Sequence, residues 1–321
     1  MGAPELLQPA LPEIADDVVA GLRSYPKSLP PWIFYDARGS SLFEEITRLP
    51  ECYLTRTEHE ILETHAPAIL DCAGSNLALI ELGAGTAEKT RTLISVLLRR
   101  QLQVQFYPVD VCAAALEIAR QSLASISRAI KVRPIVADYT RGLNGIGQLK
   151  RRKLALYLGS SIGNFEPDAA VSVLRHVRAS LRPGDALVLG TDLVKNATLL
   201  KAAYNDKAGV TARFNKNLLA RINRELGANF DLGAFRHLAV WNRPRSRMEM
   251  YLRSTRSQTI SIELPGLQVT FAEGERIHTE NSYKYTHAMV RSLLQDGGFE
   301  LEHTWTDRRK WFALHLARVT A

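Results

Sequence analysis

Cysteine is scarce in this chain: Cys52, Cys72 and Cys112 are the only three among 321 residues, an odd number with no Cys-x-x-Cys spacing. That usage excludes a disulfide framework and a zinc knuckle, so no metal is expected, and it fits a reducing, cytoplasmic compartment. Long apolar runs are missing too. No stretch reaches the length that spans a bilayer, and the opening "MGAPELLQPALPEIADD" has neither the basic start and apolar middle of a secretory signal nor the Ser/Thr of a myristoylation site. No membrane association is therefore expected. Repeats and low-complexity segments are also lacking. Charge is not: Lys and Arg number 41 against 33 Asp and Glu, a net +8. The basic clusters "LKRRK" (149–153), "RPRSR" (243–247) and "DRRK" (307–310) are short, scattered and free of interleaved aromatics, so no nucleic-acid partner is expected. With 46% hydrophobic residues there is ample material for a domain carrying an insertion.

The order of elements is readable from residue 77 onward. "LALIEL" is a short buried strand, followed by a helix with Leu93, Val96 and Leu97 at i, i+3, i+4. "VQFYPVD" and "VCAAALEIARQSLASI" repeat the pair, and "VRPIVAD" and "LALYLGS" are two more strands. "PDAAVSVLRHVRASL" is a helix opened by Pro167, and "LRPGDALVLGTDL" is a turn and strand. Alternation of this kind implies an α/β fold with a parallel sheet covered on both faces. The pattern then changes. Residues 198–226 read as helical, and about 237–271 as strands with turns at "NRPRS", "RSTRS" and "LPG", an antiparallel insertion. The tail "HAMVRSLLQDGGFELEHTWTDRRKWFALHLARV" returns to a helix and a hairpin that complete the first sheet.

Between the first strand and its helix lies "GAGTAEKTR", with Gly83 and Gly85 where backbone can approach a ligand closely. The third glycine of a dinucleotide fingerprint would fall on Glu88, whose charge repels a pyrophosphate, so NAD fits poorly. S-adenosylmethionine needs no phosphate cradle. It needs close backbone approach and an acid for the ribose hydroxyls, and Asp110 closes the second strand in that position. Asp138 closes the third and can accept from the adenine amino group. Singly, either aspartate reads as well as a helix cap. Jointly, beside one glycine turn and with the terminal hairpin, they resemble the class I methyltransferase fold. A competing pattern is "GSSIG" (159–163), a G-x-S-x-G sequence with Ser161 as a hydrolase nucleophile and Asp192 and His303 in the matching chain order. A nucleophile elbow requires a helix at once, whereas "NFEP" intervenes here.

The longer segments are more specific. "KSLPPWIFYDARGSSLFEEITRLPECYLTRTEHEIL", "ELGAGTAEKTR", "GSSIGNF", "AYNDKAGVTARFNKNLLARINREL", "MEMYLR" and "TENSYKY" resemble the histidine-specific Nα-methyltransferases of ergothioneine biosynthesis over nearly the whole chain. The resemblance implies a Rossmann-like class I methyltransferase domain (61–196 and 284–321) and a second, α+β substrate-binding domain (1–60 and 197–283). It implies that a monomer transfers three methyl groups from S-adenosylmethionine to the α-amine of L-histidine, giving hercynine. Gly83, Gly85, Lys89, Asp110, Asp138 and Tyr139 would hold the cofactor. Asn164 and Tyr204, the residues closest to the chemistry, would hold the amino and carboxylate ends of the substrate, with Tyr35 nearby. Glu280 and Ser282 would grip the imidazole, and Met250 would line its pocket. Taken alone, Glu280 reads as a surface glutamate, Ser282 as a turn residue, Met250 as strand core and Tyr204 as a packed aromatic. One position departs from the pattern: where the family commonly has "PEYY", this chain has "PECY", with Cys52 in place of a substrate-facing tyrosine. Cysteine is a weaker hydrogen-bonding group, and the change leaves open a different or already methylated amino acid as substrate.

Overall fold

The computed structural model describes residues 11–143 and 145–319; the first ten residues, where the reading of the leader begins, lie outside them. Helix α1 (Leu11–Arg23) is followed by a 3₁₀ turn at Pro31–Phe34, α2 (Ala37–Thr47) and the long α3 (Leu54–Ala73). Then come β1 (Leu77–Leu82), α4 (Arg91–Leu97), β2 (Val104–Asp110), α5 (Ala113–Ile126), β3 (Ile130–Val132) and β4 (Ile135–Val136). Strand β5 (Arg152–Tyr157), α6 (Pro167–Ala179) and β6 (Ala186–Asp192) complete the alternating run. Helices α7 (Ala197–Ala203) and α8 (Val210–Leu226) lead into β7 (Phe235–Asn242), β8 (Arg247–Ser254), β9 (Gln258–Ile262), β10 (Leu267–Phe271) and β11 (Arg276–Tyr283). The chain closes with α9 (His287–Asp296), β12 (Phe299–Thr306) and β13 (Phe312–Val319).

Two compact units result. The first comprises residues 54–194 and 284–319 of the described chain, the second 11–53 and 195–283. α3 is one continuous helix, and the first unit begins at its first residue.

In the first unit the strands run β12-β13-β6-β5-β1-β2-β3, with β4 also on β2. β1, β2, β5 and β6 are parallel, and β13 is antiparallel to both β6 and β12. Every residue of β1 and of β6 is buried, the signature of strands covered on both faces. Leu93 and Leu97 of α4, Ala119 and Leu123 of α5, and Ile61, Leu62, Ile69 and Leu70 of α3 belong to this core. The chain moves outward from β1 through β2 to β3, then returns to place β5 on the other side of β1. Ligands of open α/β sheets bind at such a reversal, beyond the carboxyl ends of the strands. The segment "VRPIVAD" forms two strands instead of the expected one. Pro134 interrupts it opposite Pro108 of β2, and neither proline can donate to a ladder.

A buried histidine marks the seam between β6 and β13. His315 Nε2 lies 2.9 Å from Thr191 Oγ1 and Nδ1 3.0 Å from Thr304 Oγ1. Burial, reinforced by His287, pushes it down from 6.5 to about 3. A histidine kept neutral in the native state protonates first in the unfolded one, so its contribution is intact above pH 6.5 and is lost as pH falls toward 3. Unfolding free energies of wild type and His315→Asn should diverge by about 1.4 kcal/mol per pH unit below pH 6, with the wild type more acid-sensitive. Parallel pH profiles in chemical denaturation would refute this.

The second unit packs α1, α2 and α8 with the sheet β11-β8-β7 and the hairpin β9-β10. Phe214, Leu218 and Ile222 of α8 and Ile14, Val18 and Leu22 of α1 repeat at helical spacing and bury against Leu252, Ile277 and Phe271. Residues 198–226 are two helices, not one. The break follows Tyr204, and Asp206 accepts from the amides of Val210 (2.8 Å) and Thr211 (2.7 Å), so that α8 starts afresh after Gly209 at φ +71°. Burial opposes ionisation of Asp206, but these bonds outweigh it and hold its pKa below the usual value.

Candidate active site

In the first unit the glycine turn sits at the carboxyl end of β1. Gly83 and Gly85 adopt φ of +64° and +51°, a region that favours glycine. A Cβ on Gly85 would meet nothing within 4 Å, and one on Gly83 would stand 3.6 Å from the Tyr139 ring. The turn therefore opens onto space bounded by Tyr139. Asp110 ties it down: Oδ2 accepts from Gly85 N at 2.8 Å and Oδ1 from Cys112 N at 2.9 Å. Each oxygen retains a lone pair, which is what two ribose hydroxyls require. Asp138 is more exposed, with Oδ1 accepting from the Thr140 amide at 2.9 Å and its hydroxyl at 2.6 Å. The Tyr139 hydroxyl lies 3.3 Å from that of Tyr157, and burial pushes it up to about 12, so it is a neutral donor at any physiological pH.

Beneath the turn lies a group that sequence reading missed. Glu81, the fifth residue of β1, is buried, and desolvation pushes it up to about 8 despite the Thr90 hydroxyl and Lys89; Glu58 and Asp110 add to the rise. It is a neutral acid at pH 7. Lys89 itself extends to 2.6 Å from Glu58 Oε2.

The turn after β5 carries Asn164. Ser161 begins the 3₁₀ helix Ser161–Asn164, and the residue in the left-handed region is Ser160, at φ +62°. Ser160 Oγ accepts from Asp192 N at 2.8 Å, while Asp192 Oδ2 pairs with Lys284 Nζ at 2.8 Å, both side chains fully buried. His303 stacks on Trp305. The hydrolase arrangement of Ser161, Asp192 and His303 is thereby overturned, because the acid is committed to a lysine and the histidine to an indole. Asn164 is half-buried, and its amide makes no hydrogen bond among the described residues.

The second unit holds the remaining candidates. Register pairs Glu280 with Met250, and Met250 in turn with Ala239; Ser282 pairs with Met248, and Met248 with Trp241. These side chains share one face of the sheet, since cross-strand partners point the same way. A bulge between His278 and Glu280 sets that register, and Thr279 Oγ1 donates to Met250 O at 3.0 Å. The hydroxyls of Tyr204 and Ser282 are 2.7 Å apart. His237 Nε2 is 2.8 Å from Tyr204 O, and its Nδ1 is 2.8 Å from Asn215 Nδ2. The amide can only donate there, so Nδ1 accepts and Nε2–H donates to Tyr204; burial lowers the pKa and keeps the ring neutral. Tyr35 packs edge-on against Phe43 and Phe214 at 6.0 and 5.9 Å. Cys52 is buried, and next to it Lys195 Nζ donates to Tyr53 Oη at 3.1 Å.

Known proteins share this architecture and sequence. Residues 14–319 match the family described as histidine-specific methyltransferase, SAM-dependent. The chain belongs to that family. It is 46% identical over 301 residues to the histidine N-alpha-methyltransferase of Mycolicibacterium smegmatis, covering 94% of this chain and 93% of that one. The enzyme of the same name from Mycobacterium tuberculosis is 42% identical, with the same coverage. Ergothioneine biosynthesis protein 1 of Neurospora crassa is 31% identical over 91% of this chain, which matches 33% of that longer protein. As a SAM-dependent methyltransferase, the chain uses S-adenosylmethionine as methyl donor, and the open glycine turn with Asp110 fits that cofactor. No helix among the described residues is long and apolar enough to cross a membrane.

Proposed function

We propose that this histidine-specific methyltransferase transfers three methyl groups in succession to the α-amine of L-histidine, forming hercynine for ergothioneine synthesis in the cytoplasm. The observation that carries the substrate assignment is the bulged register of β11, with Glu280 beside Met250 and Ser282 hydrogen-bonded to Tyr204. A carboxylate accepting an imidazole N–H next to a thioether wall rewards histidine and leaves a polar group unmatched by leucine or phenylalanine. Tyr204 takes the substrate carboxylate, with Tyr35 and Cys52 at the pocket wall. Asn164 accepts from the amine without adding a charge that would stabilise the unreactive ammonium. Asp110 and Asp138 hold the ribose and adenine, Gly83, Gly85 and Tyr139 line the turn, and Lys89 meets the cofactor's carboxylate.

Bound S-adenosylmethionine supplies an electrophilic methyl on sulfur. The protein's task is alignment of amine, methyl and sulfur, since displacement is in-line. Incubation with S-adenosylmethionine and an equimolar mixture of the twenty amino acids should give trimethylated histidine as the dominant product by mass spectrometry. Under the same conditions Glu280→Ala should lose at least about tenfold in kcat/KM for histidine, on the order of 1.4 kcal/mol. Full histidine efficiency in that variant, or a different dominant product, would refute the assigned grip.

A further inference from the structure

Beside the buried Asp192–Lys284 pair, the mechanism leaves a second fully buried carboxylate unused. Glu58 lies on α3, in the segment "TRTEHE", with no exposed surface. Its Oε1 accepts from Gly159 N at 2.8 Å, and its Oε2 lies 2.6 Å from Lys89 Nζ. Gly159 opens the turn that ends in Asn164, and a Cβ there would approach Lys89 Nζ to 3.1 Å. Glycine at 190, in the middle of β6, leaves the room: a Cβ would stand 2.7 Å from Glu58 Oε1. One carboxylate thus spans two loops that lie seventy positions apart in the chain, from Lys89 to Gly159.

Burying a carboxylate is costly unless its oxygens are compensated, and here Oε1 accepts a hydrogen bond while Oε2 has the Lys89 ammonium within ion-pair distance, at an angle poor for a hydrogen bond. Lysine is a flexible chain ending in three donors. The ion pair with Glu58 fixes where that end of the chain sits.

We propose that Glu58 is a positioning residue of the methyl-transfer site, which aims Lys89 at the cofactor's carboxylate and clamps the Gly159 turn that carries Asn164. This rests on the reading of Lys89 as a cofactor ligand, and the experiment separates the two. Glu58→Gln keeps the volume and can still accept from Gly159 N, but it turns an amide donor toward the lysine ammonium and drives Lys89 aside. Gly190→Ala retains every charge and displaces the carboxylate by contact.

Calorimetric binding of S-adenosylhomocysteine would be measured for wild type, Glu58→Gln, Lys89→Met, the double variant and Gly190→Ala, with thermal melts as a check on folding. Glu58→Gln and Lys89→Met should each weaken binding about tenfold or more. The double variant should be no weaker than Lys89→Met alone, because Glu58 acts through the lysine. Gly190→Ala, which loosens both ends of the clamp, should weaken cofactor binding and also raise KM for histidine more than Glu58→Gln does. Wild-type affinity in Glu58→Gln alongside a loss in Lys89→Met overturns the clamp and spares the lysine. Losses that multiply in the double variant, as a generally loosened fold would give, also overturn it. Wild-type affinity in Lys89→Met removes the lysine as a ligand and the proposal with it.

Discussion

Replacing Asp110 by Ala is expected to raise the dissociation constant for S-adenosylhomocysteine about 100-fold, or about 2.7 kcal/mol. The magnitude follows from the number of groups one carboxylate serves. It accepts from Gly85 N and Cys112 N, so its loss leaves two amides without their acceptor and frees the turn that must approach the ligand. On the proposed assignment the ribose hydroxyls would lose their partner in the same step, and bonds to a charged group are each worth about 1.5–3 kcal/mol. Asp138→Ala is the internal comparison. Its side chain is 43% exposed, and one of its oxygens is occupied by Thr140, so a loss of about tenfold or less is expected. Titration calorimetry on both variants decides the matter. If Asp110→Ala bound within threefold of wild type, the assignment of this acid to the ribose would be wrong.

The second large effect concerns stability. Lys284→Met should destabilise the first unit by about 3–5 kcal/mol, because it takes the ammonium away from the fully buried Asp192 carboxylate. The pair is not thereby a source of net stability. Replacing both partners, Lys284→Met with Asp192→Leu, should recover most of the loss, since a buried ion pair and a well-packed apolar pair are often nearly equivalent. Urea denaturation of the two single variants and the double variant gives the coupling. A double variant as unstable as the sum of the singles would show that the pair does more than neutralise itself.

How much of this was readable in advance depends on how local each cause is. The Gly83–Gly85 turn and Asp110 follow apolar strands at short range, and the alternation after β6 changes period where the antiparallel strands begin. Those features were legible. Pro134 was visible as well, but its effect was not: it splits a strand only because Pro108 faces it from the neighbouring one. Tyr204 was expected inside a helix, yet Asp206 supplies a new start for α8 a few residues later. Glu58 was beyond reach. Nothing local in "TRTEHE" marks it, and its burial comes from Lys89, Gly159 and the space at Gly190, all distant in sequence. Glu81 was hidden differently, as a polar residue inside an otherwise apolar strand, where burial raises its pKa with no sequence signal beyond the oddity itself.

The antiparallel strand β13 has a bearing on how this enzyme is made. It follows β6 in the chain only after the whole of the second unit's strands, yet it covers the edge of β6, whose seven residues are all buried. Until β13 docks, that edge is an open template for pairing with any other extended chain. A folding chain whose β13 has yet to dock therefore exposes an edge open to aggregation, and conditions that delay docking will lower the soluble yield.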